Sequence, residues 1–263
     1  MVELKYIHRR KIRRIIAIVG GACASVAVTV GAIALLGQRS APLTVSLTNS
    51  GANLSLSTNA NGNDKTVYLV ADTVPKYTQV TLSDVDAYDI SNPLDNENTQ
   101  SALAEENSAT LIFKYTFYVA NNGKKDADYD LTLNLSNPTK DVSKTYDLDD
   151  ILRVRFYENR NLNEHNYVTY AKRATSYHYD ENGQRSWKEQ IAGENSGYAE
   201  EFISNKVILK SSVTSLKPGE MVRTSFVFWL EGEDEEGKGE APISSALVLG
   251  VSISAHEAKD IAS

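Results

Sequence analysis

Cysteine is almost absent from this chain of 263 residues, which contains only Cys23. One cysteine excludes a disulfide within the chain and a zinc site built on cysteine ligands. The protein must therefore be stabilised by packing, for which 41% hydrophobic residues and 14 tyrosines are sufficient. A domain without disulfides is more typical of bacterial surface proteins than of small animal ectodomains.

The chain also lacks the motifs of common enzyme active sites. Its four histidines do not occur at metal-ligand spacing, and there is no HExxH motif, nucleophile elbow, glycine-rich phosphate loop or dinucleotide fingerprint. Solvated surface residues are the simplest interpretation of the histidines. The sequence therefore predicts a protein that is not an enzyme and has no cofactor, with carboxylates as the remaining candidate chemistry.

Acidic residues outnumber basic ones beyond the N-terminus. Residues 1–14 carry six basic side chains against Glu3, a sum of +5, so the remaining residues must sum to −12 to give the net charge of −7. An acidic body repels phosphate backbones. Nucleic acid is therefore not an expected partner.

An uncharged apolar run, Ile15 to Leu36, follows the basic residues. As a helix it would be roughly 33 Å long, close to the hydrocarbon thickness of a bilayer. Basic residues before such a run favour a cytoplasmic N-terminus and an exported C-terminal body. The sequence predicts a cytoplasmic basic head at 1–14, a transmembrane signal-anchor at 15–37 and an extracellular domain at 38–263, in a single-pass protein of the cell membrane.

Two other fates of the apolar run stay open. Ala32 and Ala34 occupy the −3 and −1 positions of a signal-peptidase site, and cleavage after Ala34 would release a secreted protein. A lipoprotein would use Cys23, although the apolar core before that residue is short. The length of the run favours an uncleaved anchor.

Apolar and polar residues alternate from Pro42 onward, which is the period of β-strands with one buried face. The clearest strands are 111–119, 131–135, 152–156, 222–230 and 247–253, with shorter candidates at 43–47, 53–57, 66–71, 77–82, 166–173 and 206–212. Turns at 121–123 and 217–220 separate them. Only two stretches are candidates for helix, 96–106 as a surface helix or loop and 197–203 as a single short turn, and neither is long enough for a βαβ crossover. The expected fold is mainly β, an antiparallel β-sandwich of immunoglobulin-like or jelly-roll-like type after one transmembrane helix.

An insertion at about 158–205, rich in Tyr, Asn and charge, interrupts this pattern. The sequence Asp-Glu-Asn-Gly at 180–183, between two arms that carry aromatic residues, predicts a surface hairpin. The candidate ligand-binding residues are Tyr170, Tyr177, Tyr179 and Trp187, whose rings are suited to stacking on sugars or docking a partner. Packing of these rings against the sandwich is the alternative interpretation.

Clusters of carboxylates are the candidate metal sites. An acidic loop offers calcium the side chains of Glu231, Glu233, Asp234 and Glu235. The other clusters are Asp84, Asp86 and Asp89, and Asp147, Asp149 and Asp150. None matches the EF-hand pattern, and a solvated loop where a buried strand returns to water explains the acids without a metal.

Three stretches together resemble a known family: the N-terminal anchor or signal, FYVANNGKKDADYDLTLNLS, and LKPGEMVRTSFVFWLEGEDEE. They are similar to camelysin and TasA-like proteins, which Gram-positive bacteria export as cell-surface or biofilm-matrix components. The resemblance covers 15–40 and 109–255 and leaves the 158–205 insertion outside. It implies an Ig-like sandwich with a surface role, and no metal-ligand set is carried over.

These features predict a membrane-anchored or exported bacterial cell-surface protein with a structural, adhesive or matrix role. The expected partners are the membrane through residues 15–36, other surface proteins or glycans, and further copies of the chain through strand addition at an exposed sheet edge. The alternatives are a surface hydrolase with an acidic divalent-metal site and a carbohydrate-binding module that uses the Tyr-rich insertion.

Overall fold

A computed structural model describes residues 34–37, 43–71, 79–91, 100–102, 112–139, 146–161, 163–192, 196–233 and 246–258. These residues form sixteen strands and two helices, α1 (Leu82–Ser91) and α2 (Leu148–Ile151). The protein is therefore mainly β, as the alternation of apolar and polar residues predicted. The basic head at 1–14 lies outside the described residues.

Two large sheets and one hairpin contain all the described strands. Sheet A has the order β14-β8-β16-β2-β4, with β1 also on β16; its strands are β1 (Ala34–Gly37), β2 (Thr44–Ser50), β4 (Tyr68–Val70), β8 (Ala127–Thr139), β14 (Val207–Leu216) and β16 (Ala246–Glu257). Sheet B has the order β13-β10-β9-β15-β7-β3, with β5 on β15 and β6 on β7; its strands are β3 (Leu54–Ser57), β5 (Gln79–Val80), β6 (Gln100–Ala102), β7 (Phe113–Asn121), β9 (Leu152–Asn159), β10 (Tyr167–Ala171), β13 (Glu200–Glu201) and β15 (Met221–Glu231). The separate hairpin pairs β11 (His178–Tyr179) with β12 (Arg185–Ser186).

The expectation of purely antiparallel sheets is wrong in part. β2 runs parallel to β16, β5 runs parallel to β15, and β13 runs parallel to β10. A parallel pair needs a long connection, and such a connection is usually a helical crossover, for which the sequence has too few helices. Because β2 and β16 lie near opposite ends of the described chain, the whole domain between them serves as that connection.

Side chains from both sheets form one hydrophobic core. Leu133 of β8 and Ile253 of β16 lie in the same buried cluster as Phe117 of β7 and Phe226 of β15. The rings of Phe226 and Phe156 pack with their centroids 5.2 Å apart. The strand faces that the alternation predicted to be apolar are the faces that meet in this core.

The outer face of sheet B is buried as well, which the alternation did not predict. Every residue of β15 after Met221 is buried. On the outer face, Val227 and Trp229 form a second apolar cluster with Val80 of β5 and Val85 of α1. The centre of the sheet is thus covered by a further layer of chain instead of facing water.

Helix α1 contains Asp84, Asp86 and Asp89, one of the carboxylate clusters that were candidate metal sites. Its start is a capping box, in which the Asp84 amide donates to Thr81 Oγ1 (3.2 Å) and the Thr81 amide donates to Asp84 Oδ2 (3.0 Å). The two predicted helices are not confirmed, since residues 100–102 form β6 and Glu200–Glu201 form β13.

The turn predicted at residues 217–220 is confirmed. The Glu220 amide donates to the Lys217 carbonyl (2.9 Å), and Gly219 has a φ of +81°. A positive φ at the third position after proline at the second defines a type II turn, for which glycine is required. This turn joins the edge strand β14 to the central strand β15.

The predicted membrane segment lies mostly outside the described residues. In the part of the chain that the structure describes, no helix has both the length and the apolar character needed to span a bilayer. The last residues of the predicted anchor form β1, in which Ala34 pairs with Leu249 and Gly37 pairs with Ala246 of β16.

Strand β14 forms an irregular edge of sheet A. Its pairing with β8 shifts register between Val207 and Leu209 and again between Val213 and Leu216. Within the second irregularity, Ser215 has a φ of +52°. Bulges of this kind, together with the exposed Lys210, oppose the addition of another strand to this edge.

We expect truncation of a core isoleucine to destabilise the protein far more than truncation of an exposed one. Ile253 of β16 is 2% exposed and Ile203 is 56% exposed. Ile253→Ala should lower the free energy of unfolding by about 2–5 kcal/mol because it leaves a cavity between the sheets. Ile203→Ala should change it by no more than about 0.5 kcal/mol. Chemical denaturation of both variants measures this, and equal effects would contradict the assignment of the core.

Candidate functional site

The hairpin predicted at 180–183 is confirmed. The Gly183 amide donates to the Asp180 carbonyl (2.9 Å), and Gly183 has a φ of +71°. Asp180 Oδ1 also accepts hydrogen bonds from the amides of Asn182 (2.9 Å) and Gln184 (2.8 Å). The aspartate and glycine therefore fix the turn and bring the two aromatic-bearing arms together.

One face of this hairpin carries a row of aromatic and arginine side chains. The Tyr177 ring lies edge-on to the rings of Tyr179 and Trp187, with centroid distances of 5.6 Å to each. The Arg185 guanidinium lies 4.7 Å from the centre of the Tyr177 ring, and the Arg173 guanidinium lies 4.7 Å from the centre of the Trp187 ring. We call these five residues the aromatic–arginine face.

The opposite face of the hairpin packs against the protein through His178. The imidazole stacks on the Tyr198 ring with a centroid distance of 3.7 Å and 4° between the planes. The Ala174 amide donates to the Trp187 carbonyl (2.9 Å) and closes the base of the hairpin. The aromatic–arginine face is consequently turned to solvent, with Tyr177 41% and Tyr179 62% exposed.

Tyr170, the fourth predicted ligand-binding residue, is separate from this face. It lies in β10 opposite Val154 of β9 and packs against the main core. Burial raises the pKa of the Tyr170 hydroxyl, and the nearby charges of Glu200 and Glu158 raise it further. The structure therefore brings together Tyr177, Tyr179 and Trp187 but places Tyr170 in the sheet.

Glu231, the first of the predicted calcium ligands, is fully buried at the end of β15. Its Oε2 accepts from Trp229 Nε1 (3.0 Å), and its Oε1 accepts from the amides of Gly232 (3.0 Å) and Glu233 (2.9 Å). Burial raises the pKa of the Glu231 carboxyl above its ordinary value, against the lowering effect of the Glu233 amide, the Trp229 N–H and Arg153. Glu233 is exposed, and Asp234 and Glu235 lie outside the described residues.

Another predicted cluster of acids is close together in space. The carboxylates of Asp147, Asp149 and Asp150 lie near enough to share one cation. However, Lys172 Nζ lies 2.8 Å from Asp149 Oδ2 and 2.7 Å from Asp150 Oδ1. Burial lowers the pKa of Lys172, but its hydrogen bonds to these two carboxylates raise it above the ordinary value. The lysine supplies the positive charge that a metal would bring, and it ties α2 to the end of β10.

Glu158 of β9, which the motif search did not single out, connects the two sheets. Its Oε1 accepts from the Tyr129 hydroxyl of β8 (3.2 Å), and its Oε2 accepts from the Ser211 hydroxyl of β14. Burial raises the pKa of the Glu158 carboxyl, against the lowering effect of the two hydroxyls and of Arg160. The signal was present in the sequence, because Glu158 has the same parity in its strand as the core residues Val154 and Phe156.

Comparison with known proteins does not identify a family for this chain. No family model and no curated protein matches this chain. A solved structure, the β-glucosidase from Kluyveromyces marxianus in complex with glucose, aligns over 75% of this chain at 9% identity and a TM-score of 0.21. The alignment covers only 16% of the glucosidase chain. At this TM-score the likeness carries no argument about fold or activity.

Replacement of Glu158 should change how stability depends on pH. Because the pKa of Glu158 is raised in the folded protein, its contribution to stability is fully present below the ordinary value of 4.5 and is lost as pH rises through the folded pKa. Relative to the wild type, Glu158→Gln should therefore gain stability as pH rises above about 4.5. Urea denaturation across this pH range measures the effect. The exposed Glu181→Gln serves as the control, and parallel curves for wild type and Glu158→Gln would contradict the assignment.

Calcium should not stabilise the protein through the end of β15, because the Glu231 oxygens already accept three hydrogen bonds. A site on the folded protein would raise stability by about 2.7 kcal/mol at calcium concentrations a hundred times its dissociation constant. We expect the same melting temperature in millimolar calcium and in EDTA. A melting temperature that is higher in calcium than in EDTA, with a difference that Glu233→Gln abolishes, would restore the metal-site hypothesis.

Proposed function

We propose that this chain is a bacterial cell-surface protein, exported and held in the membrane by the apolar run that begins at Ile15, with a non-enzymatic, adhesive role. The observation that carries the adhesive role is the aromatic–arginine face, which the His178–Tyr198 stack holds open to solvent. Exposed rings on a fixed hairpin are suited to binding a partner. Structural and matrix roles are the broader setting of the same proposal.

The proposed body is a β-sandwich of Ig-like type. In support, sheets A and B share one core, and at their centres β16 pairs antiparallel with β8 and β15 pairs antiparallel with β9. A resemblance to camelysin and TasA-like exported proteins is part of this proposal. It rests on the N-terminal segment and on the strands on either side of the 158–205 insertion.

The anchor is compatible with the pairing of β1. If residues from 34 onward belong to the sheet, the apolar run still has the 19 residues from 15 to 33. A helix of that length is roughly 28 Å long, close to the hydrocarbon thickness of a bilayer. The alternative, cleavage after Ala34, would leave Leu35–Gly37 on β16 and give a secreted protein.

A surface hydrolase with a divalent-metal site has less support. The Glu231 carboxylate is occupied by hydrogen bonds at the end of β15, and Lys172 forms ion pairs with Asp149 and Asp150 of the described carboxylate cluster. Binding of carbohydrate is the second candidate function, and the row formed by the exposed Tyr177 and Tyr179 and the half-buried Trp187 favours it. Strand addition between copies stays a prediction, which the irregular edge at β14 does not favour.

Protease protection tests the proposed location. In a Gram-positive host that produces the full chain with a C-terminal tag, protease added to intact protoplasts should destroy the tag while a cytosolic marker survives. Replacing the six basic residues of 1–14 with glutamine should reduce the exported fraction, because these charges orient the segment. The mass of the membrane-bound product distinguishes an anchor from cleavage after Ala34. Recovery of the full chain in the cytosol without detergent would overturn the proposal.

A further inference from the structure

We propose that the aromatic–arginine face binds an acidic glycan, a polysaccharide whose sugars carry carboxylates. This inference rests on the proposed surface location, and it names the chemistry of the partner. Two properties of the face are required together: rings that can stack on sugar, and guanidinium groups that can pair with carboxylates.

The rings supply the stacking surface. Tyr179 is 62% exposed at the outer end of the row, and Tyr177 is 41% exposed behind it. The spacing of 5.6 Å between successive rings extends the surface through Tyr177 to Trp187. Tyr and Trp present an apolar body with a polar tip, which suits a sugar that has both apolar C–H groups and hydroxyls.

The arginines supply the preference for an anion. Arg185 is exposed and forms no ion pair with a carboxylate of the described residues. Arg173 is 56% exposed in its side chain, and its ion-pair partner Glu201 Oε1 is 4.0 Å away, which is long for such a contact. A guanidinium can bind a planar carboxylate through two parallel hydrogen bonds.

The cationic groups that the hairpin offers to a ligand are the two arginines of the face. The lysines at either end of the hairpin are already paired, Lys172 with Asp149 and Asp150, and Lys188 with Glu200. Charges elsewhere on the surface are screened beyond roughly 8 Å at physiological salt, so the groups nearest to a bound ligand dominate. The face therefore offers an anion the guanidinium groups of Arg173 and Arg185.

The face is also prepared for binding before a ligand arrives. Three contacts hold the hairpin in place. They are the stack of His178 on Tyr198, the hydrogen bond from the Ala174 amide to the Trp187 carbonyl, and the turn at Asp180. Each arginine is already placed over its ring. Less conformational entropy is therefore lost on binding than with free side chains.

Single-stranded nucleic acid is recognised by the same combination of rings and arginines. The proposed location outside the cell favours a glycan instead. An oligonucleotide is therefore included as a competing ligand in the test.

The test measures binding of purified full-length protein, in detergent micelles, to polygalacturonate, neutral dextran and oligo(dT). We expect binding to polygalacturonate that weakens with salt, with dextran and oligo(dT) at least about tenfold weaker. Arg185→Gln should weaken polygalacturonate binding about tenfold through loss of the charge-assisted hydrogen bonds. Lys210→Gln, which removes the same charge from β14, should leave it unchanged. Tyr179→Ala should weaken binding about tenfold, and Tyr179→Phe should retain it.

Three outcomes would overturn the proposal. The first is folded wild-type protein that does not bind polygalacturonate. The second is dextran binding as tight as polygalacturonate binding, with no effect of Arg185→Gln on either. Tighter binding to oligo(dT) would assign the face to nucleic acid. Because this assay uses purified protein, its failure leaves the protease-protection result intact, and a cytosolic location would not alter the measured affinities.

Discussion

Burial of sheet B on both faces is the constraint on which the rest of the structure depends. Polar groups on the outer face can be buried only if they find partners. Arg153 Nε donates to the carbonyls of Gln190 (3.0 Å) and Ile191 (3.2 Å), and so holds this stretch of the insertion on the sheet. Gln190 forms a β-bridge with Tyr198, whose ring supports the hairpin. The position of the exposed face thus follows from a buried arginine in the neighbouring sheet.

Two of the arginines that lie over aromatic rings in the described residues have different surroundings. Arg155 is 3% exposed, lies 4.3 Å from the centre of the Tyr167 ring, and forms an ion pair with Asp86 of α1 at 2.6 Å. There the guanidinium has a carboxylate from the chain itself, and the contact attaches α1 to the sheet. Arg185 lies over the Tyr177 ring but is exposed and has no ion pair with a carboxylate of the described residues. A carboxylate of a ligand would give Arg185 the partner that Asp86 gives Arg155.

Local sequence patterns predicted the strands and turns better than they predicted which strands pair with each other. The period of two identified the core-facing residues of β7, β8, β9, β15 and β16, and proline and glycine identified the turn at 217–220. The period cannot tell whether the other face meets water or another layer, so the burial of Arg153 was missed. Pairing of Thr44 with Gly250 joins residues 206 positions apart, and no local signal encodes it. Tyr170 and Tyr177 are close in sequence, but Tyr170 lies in β10 and packs on the core, whereas Tyr177 lies on the exposed face of the hairpin.

If copies of this protein share one membrane, as proposed, the irregular edge at β14 has a consequence for them. Confinement to two dimensions makes collisions between neighbours frequent, and a straight edge would favour lasting backbone pairing in such collisions. The positive φ at Ser215 and the two register shifts oppose pairing along β14. Contacts between neighbours through this edge would be brief, and each molecule would remain able to diffuse and to turn its hairpin toward a ligand.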